Sequence, residues 1–179
     1  YPGKNLGAYG DAGIITTNNK TLYTKIKKIR NLGSEKKFDH EIIGVNSRLD
    51  TIQAIILNQK LTRLDVHNKN RQKIAKLYNK LIVNKKITKL NYSKSCVYHQ
   101  YVILTKERKK LINKLNEKKI QFGFHYPSAI HQLRVFKNSF KSNSFKNAER
   151  IANEGLSIPI DPNLSKKNIS YIIQTLNEF

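Results

Sequence analysis

Methionine is absent from the 179-residue sequence, and cysteine occurs once, at Cys96. A lone cysteine excludes an internal disulfide, which suits a reducing compartment and points to the cytoplasm. No apolar run approaches the roughly 18 residues that a membrane span needs, so no membrane association is expected. The chain opens on Tyr-Pro-Gly-Lys and shows neither the basic nor the apolar stretch of a signal peptide. Acidic side chains are few: 12 Asp and Glu stand against 34 Lys and Arg, a formal net charge of +22. Such an excess marks a nucleic-acid binder when it forms one basic face or interleaves with aromatics. Here the lysines are spread through every segment, and arginine, the planar fork of base and phosphate recognition, is scarce. No nucleic-acid motif accompanies the charge. It reads as a compositional bias toward Lys, Asn and Ile with a modest attraction for phosphorylated ligands, and a nucleic-acid partner is not expected.

Other chemistries are excluded by pattern. The five histidines are dispersed and give no zinc spacing with Cys96, so no metal site is read. There is no Gly-x-Ser-x-Gly elbow, and Gly7-x-x-Gly10 lacks the rest of a dinucleotide or phosphate-loop fingerprint. Apolar content of 39% is ordinary for a globular chain and permits a real core. A glycine-rich motif begins within a few residues of the start with no initiator methionine before it. A piece truncated on its N-terminal side is therefore expected.

Residues 1–18 read as a turn punctuated by Gly3, Gly7, Gly10 and Gly13, then a β-branched strand at Ile14-Ile15-Thr16-Thr17. Leu22, Ile26 and Ile29 share one helical face over about 20–31, and Gly33 stands where a left-handed cap belongs. Residues 34–47 read as an ordered loop. A long helical pattern starts near Leu49, with a break possible at the polar cluster 65–70. Neither Pro nor Gly interrupts residues 45–122. Downstream, strands are expected at 87–90, 97–104 and 120–126, the last stopped by Pro127. A charged helix is expected at 107–118, a polar loop to about 145 and a short helix at 148–155. Ser165 caps a final helix whose inner face is Ile169, Ile172, Ile173 and Leu176. The domain boundary is expected at 60/61, with the long helix joining the two bodies.

Three blocks carry chemistry. The first is Tyr1-Pro-Gly-Lys-Asn-Leu-Gly-Ala-Tyr-Gly-Asp-Ala-Gly13. Glycines let the backbone approach a ligand closely, and a lysine held among them can offer an amine to a carbonyl, although many lysines are surface residues in turns. The second is Gly44-Val-Asn-Ser-Arg-Leu-Asp50 followed by Thr51-Ile-Gln-Ala54. An Asn amide and an Arg guanidinium two residues apart, just before a helix, suit anion recognition; turn capping and a structural ion pair are the plainer alternatives. The third is Phe124-His-Tyr-Pro127 with His131. Tyr126 could instead belong to the core, and His131 to a loop.

Taken in this order, the blocks resemble the DegT/DnrJ/StrS-type sugar aminotransferases that use pyridoxal phosphate (PLP). Weaker matches at Arg30–Ser34, His40-Glu41, Tyr98–Val102 and Leu156–Ile160 extend the likeness along the whole chain. It departs at Leu32, at Ala129 in place of a second proline, and at Gln132-Leu133, which stand in reversed order.

The resemblance implies an α/β fold, part of a fold-type I PLP-dependent transferase. Residues 1–60 would be a remnant of the large cofactor domain, and 61–179 a small α/β C-terminal domain. It makes Lys4 the Schiff-base lysine and proton carrier, and Asn46 a contact to the partner subunit's PLP phosphate in a homodimer. Arg48, His125, Tyr126 and His131 become contacts to the nucleotide-sugar. It implies transamination of a nucleotide-linked keto-sugar, with glutamate as donor, for polysaccharide or glycoconjugate synthesis. The alternative within the family is a non-catalytic regulatory or binding relative. The family's acid for the pyridine nitrogen, its ring-stacking aromatic and its phosphate loop precede the lysine, so the chain alone is expected to be inactive. Residues 1–50 are expected to be poorly packed.

Overall fold

A computed structural model describes residues 1–136, 139–140 and 145–179. The chain divides into two compact units, Tyr1–Leu64 and Asp65–Phe179.

The first unit begins with a turn, continues through an extended segment, and reaches helix α1 (Lys20–Ile29). Asn19 caps α1, its side-chain oxygen accepting from the Leu22 amide at 3.0 Å. The helix ends in a left-handed turn, with Leu32 at φ 60° and Gly33 at φ 80°. The Gly33 amide donates back to Lys28 O at 2.8 Å, closing the helix end. A short hairpin follows, β1 (Ser34–Lys36) and β2 (Asp39–His40), within the stretch read as a loop. Lys28 ties it down through an ion pair to Glu41 at 2.6 Å and a longer one to Glu35 at 3.5 Å. The hydrogen bond to Glu41 raises the Lys28 pKa. The strand expected at Ile14–Thr17 does not form. These residues lie in no ladder, and Ile14 is 88% exposed. β-Branched residues favour a pleated, half-covered surface, and this segment has none.

Helix α2 (Thr51–Leu81) is continuous through the polar cluster where a break was expected. With no Pro or Gly to interrupt the hydrogen-bond ladder, polar side chains on a helix need only solvent. At 1.5 Å per residue it is roughly 46 Å long.

The second unit holds a three-stranded antiparallel sheet in the order β3 (Thr88–Lys89), β4 (Tyr101–Leu104), β5 (Gly155–Ile158). Helices α3 (Arg108–Glu117), α4 (Lys146–Glu154) and α5 (Lys166–Asn177) complete it. β4 is shorter than its β-rich sequence suggests because Tyr98 sits at φ 46°, a left-handed residue that no ladder accommodates. The strand expected at 120–126 reduces to one rung, Gly123 opposite Ser157. Its first amide, Ile120, is spent on Leu115 O at the end of α3, and Pro127 has none to give. The third strand is instead β5, read from sequence only as the segment before the last helix. Part of the polar loop, 137–138 and 141–144, lies outside the described residues; two 3₁₀ turns, Ile130–Gln132 and Arg134–Phe136, precede it.

One face of the sheet (Tyr101, Ile103, Leu156, Ile158) packs with Ile74, Ala75 and Tyr78 of α2, Leu111 and Leu115 of α3, and Ile169, Ile172, Ile173 and Leu176 of α5. The Ser165 cap and all four inner positions of α5 are as expected. Tyr78 and Tyr101 meet edge to face at 5.1 Å, and their hydroxyls donate to Pro159 O at 2.8 Å and to Asn79 Oδ1 at 2.6 Å. Burial pushes both phenols upward in pKa. The first unit has little of this: none of α1 is buried, and Ala8 is its one buried apolar side chain among the described residues. Among the described residues no helix is long and apolar enough to cross a membrane.

Candidate active site

The lysine turn is held by sequence-local geometry. The Lys4 amide donates to Tyr1 O at 3.0 Å, and a Cβ on Gly7 would stand 2.2 Å from Pro2 O, so this fold-back requires glycine. Two side chains of α2 stitch the turn in place. Gln53 Oε1 accepts from the Tyr9 amide at 2.8 Å, and Lys60 Nζ donates to Gly7 O at 2.6 Å while lying 4.7 Å from the Tyr9 ring centroid. Sequence reasoning gave no role to Gln53 and did not single out Lys60. Their signal was the seven-residue spacing, which puts both on one helical face. Lys4 itself is exposed, and a Cβ on neighbouring Gly3 would meet nothing within 4 Å. A primary amine in open space on a pinned turn fits the attachment point of a carbonyl cofactor.

Asn46 and Arg48 are brought together. Arg48 Nε donates to Asn46 Oδ1 at 3.0 Å, and its Nη1 donates to Asn31 Oδ1 at 3.3 Å. The backbone around them is laced to the end of α1: Val45 N to Ile29 O at 2.8 Å, and Ser47 N to Arg30 O at 2.9 Å. With its oxygen engaged, the Asn46 amide presents its NH2, a donor that suits phosphate. Arg48 makes these bonds to amide oxygens and not the carboxylate ion pair weighed as its plainer role. His40, in the His-Glu pair, is bonded through Nδ1 to Leu32 O at 2.9 Å, which is loop chemistry.

In the second unit His125 Nδ1 pairs with Ser157 Oγ at 2.8 Å, and the His125–Tyr126 peptide is cis. Tyr126 packs edge to face on His125 at 5.5 Å and is 69% exposed, so it is not core. His131 is held elsewhere: its Nε2 donates to Glu149 Oε1 at 2.9 Å, and its ring lies 4.8 Å from that of Phe145. The same carboxylate oxygen accepts the Phe145 amide at 3.1 Å, so Glu149 holds His131 and Phe145 together. Among the described residues no group of His, Cys, Asp or Glu is arranged to hold a metal ion.

Residues 1–177 match the DegT/DnrJ/EryC1/StrS aminotransferase family. The chain belongs to that family. The family is PLP-dependent. Among curated relatives, the chain is 39% identical to the dTDP-3-amino-3,6-dideoxy-alpha-D-galactopyranose transaminase of Aneurinibacillus thermoaerophilus, over 100% of this chain and 54% of that protein. It is 37% identical to a "pleiotropic regulatory protein" of Geobacillus stearothermophilus, over 100% of this chain and 50% of that protein. Among solved structures, S. venezuelae DesV superposes with a TM-score of 0.93 at 33% identity, covering 99% of this chain and 49% of DesV. A DegT/DnrJ/EryC1/StrS aminotransferase of Brucella abortus gives a TM-score of 0.90 at 29% identity, over 100% of this chain and 49% of that one. The chain thus spans about half the length of the curated relatives it matches.

Proposed function

We propose that this chain contributes the Schiff-base lysine and part of the substrate surface to a PLP-dependent aminotransferase acting on a nucleotide-linked keto-sugar. Glutamate is the amino donor, and the setting is cytoplasmic polysaccharide or glycoconjugate synthesis. The observation that carries the reading is Lys4, exposed on a turn pinned by Gly7, Gln53 and Lys60. PLP, when bound, supplies an electron sink for a carbanion at the donor α-carbon. Lys4 supplies the amine that holds the cofactor carbonyl and, once displaced by an amino donor, the base that accepts the α-proton and returns it. Asn46, oriented by Arg48, offers its NH2 to the cofactor phosphate of the partner subunit in a homodimer. Residues 1–60 act as part of the cofactor domain, and 61–179 as the small domain. Tyr126 and His125 face the substrate, and His131 is held by Glu149.

The 179-residue chain alone should show no turnover with PLP, glutamate and a nucleotide keto-sugar. Joined behind the first half of the Aneurinibacillus relative, it should transaminate, and Lys4→Ala should remove the activity. Turnover that survives Lys4→Ala refutes the reading. A second reading, a regulatory member that no longer catalyses, is favoured by the similarity to the Geobacillus protein. It predicts cofactor binding without turnover in the same joined protein.

A further inference from the structure

A built polar cluster of the second unit surrounds His125. Tyr101, Ile103, Leu156 and Ile158 turn one sheet face into the core, which leaves Ser157 on the other pleat of β5. Ser157 is only 4% exposed, and a buried hydroxyl needs a partner. Its partner is His125 Nδ1 at 2.8 Å. Its backbone is bonded in both directions to Gly123, Gly123 N to Ser157 O at 3.0 Å and Ser157 N to Gly123 O at 2.8 Å. Ser157 therefore grips the segment 123–125 by three bonds. A Cβ on Gly123 would come 2.8 Å from His125 Cε1, so glycine is what admits the imidazole.

On the other side of the ring, Gln100 Nε2 stands 3.4 Å from His125 Nε2. An amide NH2 can only donate. With Gln100 Nε2 as the donor, the assignment that follows is a lone pair on His125 Nε2 and the proton on Nδ1, a proton that Ser157 Oγ, able to accept or donate, is placed to accept. At 3.4 Å the Gln100 contact is longer than an ordinary N–H bond of about 2.7–3.2 Å, so a better-placed donor can displace it. Phosphate oxygens accept and have nothing to give a lone pair, whereas a sugar hydroxyl donates.

We propose that Ser157 and Gln100 are positioning residues that fix His125 as its Nδ1–H tautomer, so that Nε2 is presented as an acceptor for a sugar hydroxyl and not as a phosphate ligand. The tautomer rests on the geometry alone; the identity of the ligand rests on the aminotransferase reading.

The test is a long-range proton–nitrogen correlation spectrum of the full chain labelled with 15N-histidine. It is recorded without ligand at about pH 8.5, well above the ordinary imidazole pKa of about 6.5. His125→Asn identifies its signals. The expected result is the Nδ1–H pattern for His125, its replacement by the Nε2–H pattern in Gln100→Glu, whose carboxylate can only accept, and a mixed pattern in the double variant Ser157→Ala/Gln100→Leu, which leaves neither support. Unchanged patterns for the other histidines report that the variants are folded. An Nε2–H pattern in the unsubstituted chain overturns the proposal, and that spectrum decides even if the variants do not fold; persistence of an unmixed Nδ1–H pattern in a folded Gln100→Glu overturns it too. UDP-glucose should move the Nε2 signal and UDP should not. A shift with UDP alone, or none with UDP-glucose, overturns the assignment to a hydroxyl. Failure of transamination in the joined protein would leave the tautomer result standing, so the two readings fail separately.

Discussion

Arg48 donates from Nε to the side-chain oxygen of Asn46 at 3.0 Å, and in doing so decides which end of that amide a ligand meets. The oxygen is spent, and the NH2 is left as the donor. Asn46→Asp keeps an acceptor for Arg48 and replaces the donor by an anionic oxygen. In the joined, dimeric protein it should weaken PLP binding by about 10- to 100-fold, the worth of one hydrogen bond to a charged group. Cofactor titration by fluorescence measures this, and unchanged affinity would remove Asn46 from the phosphate site.

Gly33 is a second fixed point. It stands at φ 80°, and a Cβ there would lie 1.6 Å from Ile42 O. Gly33→Ala must open the contact between the end of α1 and the 42–46 segment, at a cost of at least about 1 kcal/mol. Faster amide exchange at Leu32, Val45 and Ser47 reads it; unchanged protection would show that the segment is held by other means.

Stability is lodged unevenly. Leu176 is fully buried in the core of the second unit, while Ile43 is 98% exposed. Leu176→Ala should cost about 2–5 kcal/mol in denaturant unfolding of that unit. Ile43→Ala should change the first unit by less than about 0.5 kcal/mol. Equal effects would contradict the placement of the core.

Alkali should weaken the second unit through its buried phenols. Burial raises the pKa of Tyr78 and Tyr101 in the folded chain above the ordinary value near 10. The stabilisation is whole below the unfolded pKa. It falls as pH rises above about 10, because the unfolded chain releases these protons first, by up to roughly 1.4 kcal/mol per pH unit for each phenol. Unfolding midpoints from pH 9 to 11 should show that slope, and Tyr78→Phe should flatten it. An unchanged slope in the variant would place the titration elsewhere.

Local signals in the sequence carried well where they were self-sufficient. The Ser165 cap, the left-handed Gly33 and the inner face of α5 depend on residues within a few positions of one another. The misses were partner-dependent. Ile14–Thr17 has strand composition, yet a ladder requires a neighbour, and no described residue provides one. The segment 120–126 lies beside β5 and keeps a single rung to it, at Gly123 and Ser157, while Gly155 and Ser157 hid β5 itself from a reading by strand composition. The motif residues Lys4, Asn46 and His125 could be named from pattern. Their supports, Gln53, Lys60, Gln100 and Ser157, come from elsewhere in the chain; Gln53 and Lys60 share a helical face in the sequence, but what each of the four meets emerges only when the backbone is folded.

The decisive measurement is borohydride trapping of PLP in the joined protein, with the modified lysine located by peptide mass spectrometry. A pyridoxyl group on Lys4, absent from Lys4→Arg together with turnover, is the expected result. Modification spread over the surface lysines with Lys4 untouched would mean that this turn does not hold the cofactor.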